Sequence, residues 1–271
     1  MKKVIALSLL IAFVLCGLSA CGAKTVMTVD FLKLGKADCC LISDGEHTIV
    51  IDCGKSDDAD KIIRQLRRME KTRIDLLIIS HYDKDHFGGA SALTEAFEIA
   101  QIIEPDYSPE PSELYDEYLA SKAAHAIPVK RVKYGETLCF GDIRLEINGA
   151  GDAEFSSSVD NNNSLTVLLE HAGNRIFFAG DIEKARTELL LSEGADKCDV
   201  IKLPHHGVYN SALPKLLETT GAAYAVITCS KSSPAEAKTL KSLNKLDITP
   251  YLTCDGAIRL ISSAKGIEIR Q

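Results

Sequence analysis

Residues His81-Tyr82-Asp83-Lys84-Asp85-His86 place two imidazoles and two carboxylates within six positions, directly after Ser80 and the run Asp75-Leu76-Leu77-Ile78-Ile79. An apolar run of that length reads as a buried strand, and a loop at its mouth is where a scaffold presents chemistry. Carboxylates and imidazoles crowd together at a cost unless a cation offsets their repulsion and desolvation. A solvated polar turn is the plain alternative. Three further segments weigh against it: Ile51-Asp52-Cys53-Gly54, Phe178-Ala179-Gly180-Asp181 and Leu203-Pro204-His205-His206-Gly207. Each follows a β-like apolar run and ends in a ligand-type residue beside Gly, so strand ends converging on one edge would bring them together.

The remaining pattern is layered α/β. Strands are expected over 26–32, 39–42 and 48–51, the last two joined by the Asp44-Gly45 hairpin turn. Ile62, Ile63, Leu66 and Met69 have helical spacing behind a cap at Ser56 or Asp57. Gly88-Gly89 lets the backbone turn closely around the ligand loop. The segment 104–128 reads as an irregular lead-in and a helix, with Tyr107, Tyr115 and His125 as candidates for substrate contact or, for the tyrosines, core packing. The second half repeats the scheme, with strands over 129–133, 138–140, 143–147, 165–170, 175–179, 200–203 and 223–228 and helices over 183–191, 213–217 and 235–246. His47 and His171 fall in hairpin turns and read as surface residues.

In order along the chain, Gly35-Lys36-Ala37-Asp38, Asp52-Cys53-Gly54, His81 to His86, Asn162-Asn163-Ser164, Gly180-Asp181 and Lys202-Leu203-Pro204-His205-His206-Gly207 resemble the motifs of a metallo-β-lactamase-fold hydrolase. The set is most similar to the metallo-β-lactamase-like domain of competence-type DNA-uptake channel proteins and their secreted stand-alone relatives, from about Val26 to the C-terminus. The resemblance implies a four-layered αββα sandwich and two divalent metal ions, Zn²⁺ or Mn²⁺, sharing a hydroxide as nucleophile. It places His81 and Asp83 on one ion and Asp85 and His86 on the other. Asp181 would bridge the two, and His205 would complete the second site, with the choice between His205 and His206 left open. Asp52 would accept from a ligand imidazole.

Two departures from the family's pattern bear on mechanism. Where many relatives carry histidines for the first ion, this chain has Asp83 and, before Asn161, Asp160, which makes that site oxygen-rich and suits Mn²⁺ or Fe alongside Zn²⁺. Where the group has a His before Pro, this chain has Ser233 before Pro234. Ser233 cannot donate as an imidazolium does, and Lys231 is the remaining group able to steady an anionic oxygen. Asp85, His86, Asp181, Lys231 and Ser233 are therefore the expected catalytic residues.

The chain's 271 residues and 46% hydrophobic content suffice for one two-sheet domain. The net charge of −7 and the lack of a basic run argue against an extended nucleic-acid-binding surface. Lys2 and Lys3, an apolar stretch and Leu18-Ser19-Ala20-Cys21 resemble a bacterial lipoprotein signal. The expected organisation is a signal peptide over 1–20, a short tether over 21–25 and one domain over 26–271, held outside the cytoplasmic membrane by lipid on Cys21. The seven cysteines that follow are odd in number and without paired spacing, so no disulfide framework is expected. Cys53 stands beside the expected site as a minor candidate neighbour of the metals. The expected activity is hydrolysis of a small or polymeric phosphodiester. The alternatives are hydrolysis of a lactam, lactone or thioester, or a metal-binding surface lipoprotein without turnover.

Overall fold

The computed structural model describes residues 26–271; the expected signal peptide, tether and Cys21 lie outside the described residues. Two sheets face each other. The first has eight strands in the order Gly266–Arg270, Ile258–Ser263, Met27–Phe31, Cys40–Ser43, Thr48–Ile51, Leu76–Ile78, Ile102–Pro105 and Val129–Val132. The second has seven, in the order Thr249–Leu252, Tyr224–Ile227, Val200–Lys202, Asn174–Phe178, Thr166–His171, Ile143–Asn148 and Gly135–Phe140.

Strand alternation explains the layers. In the first sheet Leu76 and Ile78 point into the core between the sheets, while Leu77 and Ile79 point outward beneath the helices. In the second, Ile176 and Phe178 point inward and Phe177 outward. Both faces of each central strand are thus apolar, as in sheets covered on both sides, and each fully buried Leu or Ile contributes about 1.5–3 kcal/mol. Helices Ala59–Arg68, Ala90–Ala96 and Glu113–Ala124 cover the first sheet, and Lys184–Glu193, Leu213–Thr220 and Ala237–Lys245 cover the second. The architecture is the expected αββα sandwich.

Some expectations are corrected. The strand Val129–Val132 belongs to the first sheet, in parallel with Ile102–Pro105, rather than opening the second half. The last two strands also return to the first sheet, where Ile258–Ser263 runs antiparallel to Met27–Phe31. His171 is buried, its Nδ1 2.9 Å from Ser262 Oγ, because the closing strand covers it. Cys139 is exposed on the edge strand. Among the described residues no helix is long and apolar enough to cross a membrane.

Candidate metal centre

Four strands deliver the site from their C-terminal ends, the edge where parallel sheets gather ligands. Asp52 follows Thr48–Ile51 and His81 follows Leu76–Ile78, parallel neighbours in the first sheet. Asp181 follows Asn174–Phe178 and His206 follows Val200–Lys202, parallel neighbours in the second. The loops are sewn together by main-chain bonds: Asp38 N–H donates to Asp85 O (3.0 Å), Cys53 N–H to His86 O (2.6 Å) and Leu165 N–H to Ser80 O (2.8 Å). Gly89 makes this approach possible, since a Cβ there would stand 2.3 Å from Cys53 O. His205 and His206 both hold left-handed backbone (φ 47° and 52°), a strained state for a side-chain-bearing residue that persists where surrounding structure enforces it.

Asp181 is the centre of the cluster. Its Oδ2 lies 3.2 Å from both His86 Nε2 and His206 Nε2, and those two nitrogens are 3.4 Å apart. Asp85 Oδ2 is 3.5 Å from His206 Nε2. Behind the ligand face, His86 Nδ1 is 2.7 Å from Asp52 Oδ2, and Asp52 also accepts from Ser80 N–H (2.7 Å) and Ser80 Oγ (2.8 Å). That carboxylate fixes the ring and turns Nε2 toward Asp181. His206 Nδ1 is likewise held, 3.0 Å from Thr228 Oγ1.

The residues fit a metal. Asp38, His86, Asp181 and His206 are all buried and offer ligand atoms within 4.8 Å of one another. Beside them the fully buried His81 Nε2 has no hydrogen-bond partner, its closest carboxylate oxygen being Asp83 Oδ2 at 3.7 Å. An orphaned buried nitrogen is costly unless something else binds it, and the His81 and His86 ring centroids are only 4.1 Å apart.

The electrostatics point the same way. Burial disfavours the charged form of His86, but Asp181, Asp52 and Asp38 outweigh it and hold its pKa well above the usual histidine value. His206 is pushed up to about 10, burial again being overcome by Asp181 and Asp38. Asp181 stays well below the carboxylate range because His86, His206 and Lys202 outweigh its burial. Asp85 is held at about 2 against its burial, by His206 and His86. In the absence of metal, protons on the two imidazoles supply the positive charge that the carboxylates require.

An opposite pH response follows for the two forms of the protein. A histidine whose folded pKa is raised stabilises the fold fully below its unfolded value, about 6.5, and loses that contribution as pH rises through the folded pKa. Metal-free protein is therefore expected to lose thermal stability between about pH 6.5 and 10. Metal-loaded protein, whose ligands must shed protons to bind, gains metal affinity with rising pH over its lower part. Melting curves with and without chelator across that range test this, and parallel pH profiles would contradict it.

The structure separates the candidate residues. His81, Asp83, Asp85, His86 and Asp181 come together on this edge. His206, rather than His205, turns its ring to Asp181, and His205 lies at the rim with Nδ1 3.5 Å from Glu183 Oε1. Asp160 lies against the Tyr107 hydroxyl instead of the cluster; burial and that carboxylate push the Tyr107 pKa up. Tyr107 Oη in turn accepts from Tyr82 N–H at 3.2 Å, so the tyrosine links Asp160 to the ligand loop. Lys231 and Ser233 sit in an exposed turn closed on Ser230, and no ion pair or hydrogen bond joins either side chain to the cluster. Tyr115 packs in the aromatic group with Tyr82 and Phe87. His125 pairs with Glu95 on an exposed helix end. Cys53 Sγ donates to His86 O (3.3 Å), and burial pushes its pKa well up, which keeps the thiol protonated. Asp38 and Lys202 are the members that ligand spacing does not reveal. Both stand in resemblance motifs, which is the signal the sequence carries for them.

A family model described as the metallo-beta-lactamase superfamily matches residues 32–230. The chain belongs to that superfamily. It is 25% identical over 163 residues to ComE operon protein 3 of Bacillus subtilis (strain 168), covering 59% of this chain and 20% of that protein. It is 26% identical over 224 residues to Recombination protein 2 of Haemophilus influenzae, covering 78% of this chain and 25% of that protein. The chain thus matches no more than a quarter of either relative's length. Among solved structures, the metallo-β-lactamase fold protein YhfI from Bacillus subtilis superposes with TM-score 0.56 at 10% identity, covering 84% of this chain and 96% of that one. Zn²⁺-bound PqqB from Methylobacterium extorquens gives 0.57 at 12%, covering 83% and 97%. These likenesses carry the fold, and the superfamily is one of generally metal-dependent hydrolases.

Proposed function

We propose that the protein is a phosphodiester hydrolase using two divalent ions, displayed outside the membrane on a lipid at Cys21. The observation that carries the reading is the buried group of Asp181, His86 and His206 beside the orphaned His81 Nε2. His81 and Asp83 would hold one ion, His86, His206 and Asp85 the other, and Asp181 both. Bound there, divalent ions would supply Lewis acidity and a water acidic enough to act near neutral pH. Mn²⁺ and Zn²⁺ both suit this oxygen- and nitrogen-rich donor set.

The chain's own residues do the rest. Asp52 and Thr228 hold the two ring orientations. Solvent reaches the cluster past Asp83 (44% exposed), Asp85 (21%) and His205 (24%), so substrate enters on that side. Burial keeps the His205 pKa below the usual value against Asp181 and Glu183, so the ring is neutral at neutral pH. A neutral imidazole N–H at the mouth can donate to a non-bridging phosphate oxygen, the service also expected of Ser233 and Lys231. Hydrolysis of a lactone or lactam is the second reading, supported by the superfamily match alone.

The test is turnover of bis(p-nitrophenyl) phosphate by protein loaded with Mn²⁺ or Zn²⁺, abolished by chelation. Turnover of nitrocefin or a lactone with none of the phosphodiester would select the second reading. His205→Ala is expected to lower kcat/KM about 10²-fold with metal content unchanged, whereas His206→Ala should lose metal. Metal loss in His205→Ala would reverse the two assignments.

A further inference from the structure

On the helical layer over the second sheet, a groove of about 610 Å³ separates helix Leu213–Thr220 from helix Ala237–Lys245. Its lining includes Tyr209, Lys215, Lys238, Lys241 and Lys245 against one carboxylate, Glu218. Lys215 is engaged with Glu218 at 2.9 Å. Lys238, Lys241 and Lys245 are exposed and in no ion pair among the described residues. Their spacing sets them on one helix face, along about 10 Å of axis. A solvated helix face ordinarily mixes the two signs, but Ala237–Lys245 contains three lysines and no acidic residue. This concentration of positive charge stands in a chain of net charge −7.

The inner end of the groove adjoins the loop that carries His206, through Tyr209. Gly207 in that loop is closely packed, since a Cβ there would stand 2.9 Å from Ile227 Cγ2 and 3.8 Å from Ala235 Cβ. Gly207 follows His206 directly, and Tyr209, three residues beyond His206, is within about 11 Å of it by chain length alone. Lys238 Nζ stands 5.5 Å from the Tyr209 ring centroid, so cation and aromatic face adjoin at the inner end. A row of cations that ends in an aromatic platform is the combination that holds single strands, with phosphates on the lysines and a base on the ring.

We propose that this groove is a track for a single-stranded polynucleotide, delivering its phosphodiester backbone to the metal centre. The purpose of the track rests on the phosphodiesterase reading, but its test does not. Binding of a fluorescein-labelled oligothymidylate is measured by anisotropy with chelator present, so that no cleavage intervenes. The protein is compared with Lys238→Glu/Lys241→Glu/Lys245→Glu and with Lys61→Glu/Lys184→Glu/Lys265→Glu, which makes the same charge change elsewhere.

The groove variant is expected to bind at least about 30-fold more weakly in 50 mM salt, with a salt slope smaller by about 2, while the control variant keeps most of the affinity. Tyr209→Leu should weaken the oligonucleotide about tenfold and leave base-free polyphosphate unaffected. No binding by the parent protein, or equal loss in both triple variants, would overturn the track. Polyphosphate binding as tight as the oligonucleotide's, with no effect of Tyr209→Leu, would overturn the polynucleotide as its occupant. Hydrolysis of bis(p-nitrophenyl) phosphate is read separately. Turnover without groove-dependent binding removes the track alone, and groove-dependent binding without turnover removes the hydrolase reading alone.

Discussion

Asp181→Ala is expected to strip the protein of both metals and of activity. The carboxylate is buried with Oδ2 3.2 Å from two imidazole nitrogens, and the Asp181 backbone N–H donates to Ser164 Oγ (3.1 Å). No nearby side chain can replace it: Asp38 is engaged with Lys202, and Asp85 reaches only His206 at 3.5 Å. Removing a partner that merely orients a ligand costs about 10–100-fold in metal affinity, and Asp52→Ala should show a loss of that order. The loss at Asp181 should exceed it, because both ions depend on this one group. Elemental analysis of parent, Asp52→Ala and Asp181→Ala proteins after reconstitution checks the ranking. Two metals retained in Asp181→Ala would remove the bridging assignment.

The layers were legible because both kinds of apolar pattern are strong in this chain. Continuous runs such as Leu76 to Ile79 and Arg175 to Ala179 fill both faces of a covered strand, and Ile62, Leu66 and Met69 keep helical spacing. The edges were less so. The strand Val129–Val132 exposes its first three residues and buries only Val132, and nothing local says which sheet it joins. The closing strand Ile258–Ser263 pairs with Met27–Phe31 across most of the chain, a contact local pattern cannot carry. The site divided along the same line. Ligands close in sequence, His81 to His86, fix their neighbourhood by the loop itself. The choice between His205 and His206 depends on two successive left-handed residues, which turn one ring inward and the other to the rim. Asp160 has the right spacing from Ser164, but the Tyr107 hydroxyl stands beside it. The same folding sets Lys238, Lys241 and Lys245 along a groove, although no basic run marks them in the linear sequence.

Lys202→Met is expected to be among the most destabilising single substitutions in the metal-free protein. Lys202 and Asp38 form a buried ion pair, and Lys202 Nζ also donates to Gly180 O (3.2 Å) and stands 3.5 Å from Asp181 Oδ1. Burial opposes both charges. Asp38 and Asp181 nonetheless hold the Lys202 pKa above its usual value, and Lys202, His86 and His206 hold Asp38 far below the carboxylate range. By linkage, the lysine's contribution is present below its unfolded pKa of about 10.4 and the carboxylate's above about 3.9, so the pair acts across the neutral range.

Deleting one partner leaves a buried charge uncompensated, which costs about 3–5 kcal/mol. Here Asp38 Oδ1 already lacks a hydrogen bond: it lies 3.4 Å from His206 Nδ1, which is occupied by Thr228. Replacing both partners removes most of that penalty, so Lys202→Met/Asp38→Asn should recover much of the loss in chemical denaturation. Metal offers a separate rescue, because added positive charge next to Asp38 and Asp181 does electrostatically what the ammonium did. Lys202→Met should therefore gain more stability from saturating Mn²⁺ or Zn²⁺ than the parent does. A single variant as stable as the parent, or a double variant as unstable as the single, would show that the ion pair does not hold this end of the sandwich.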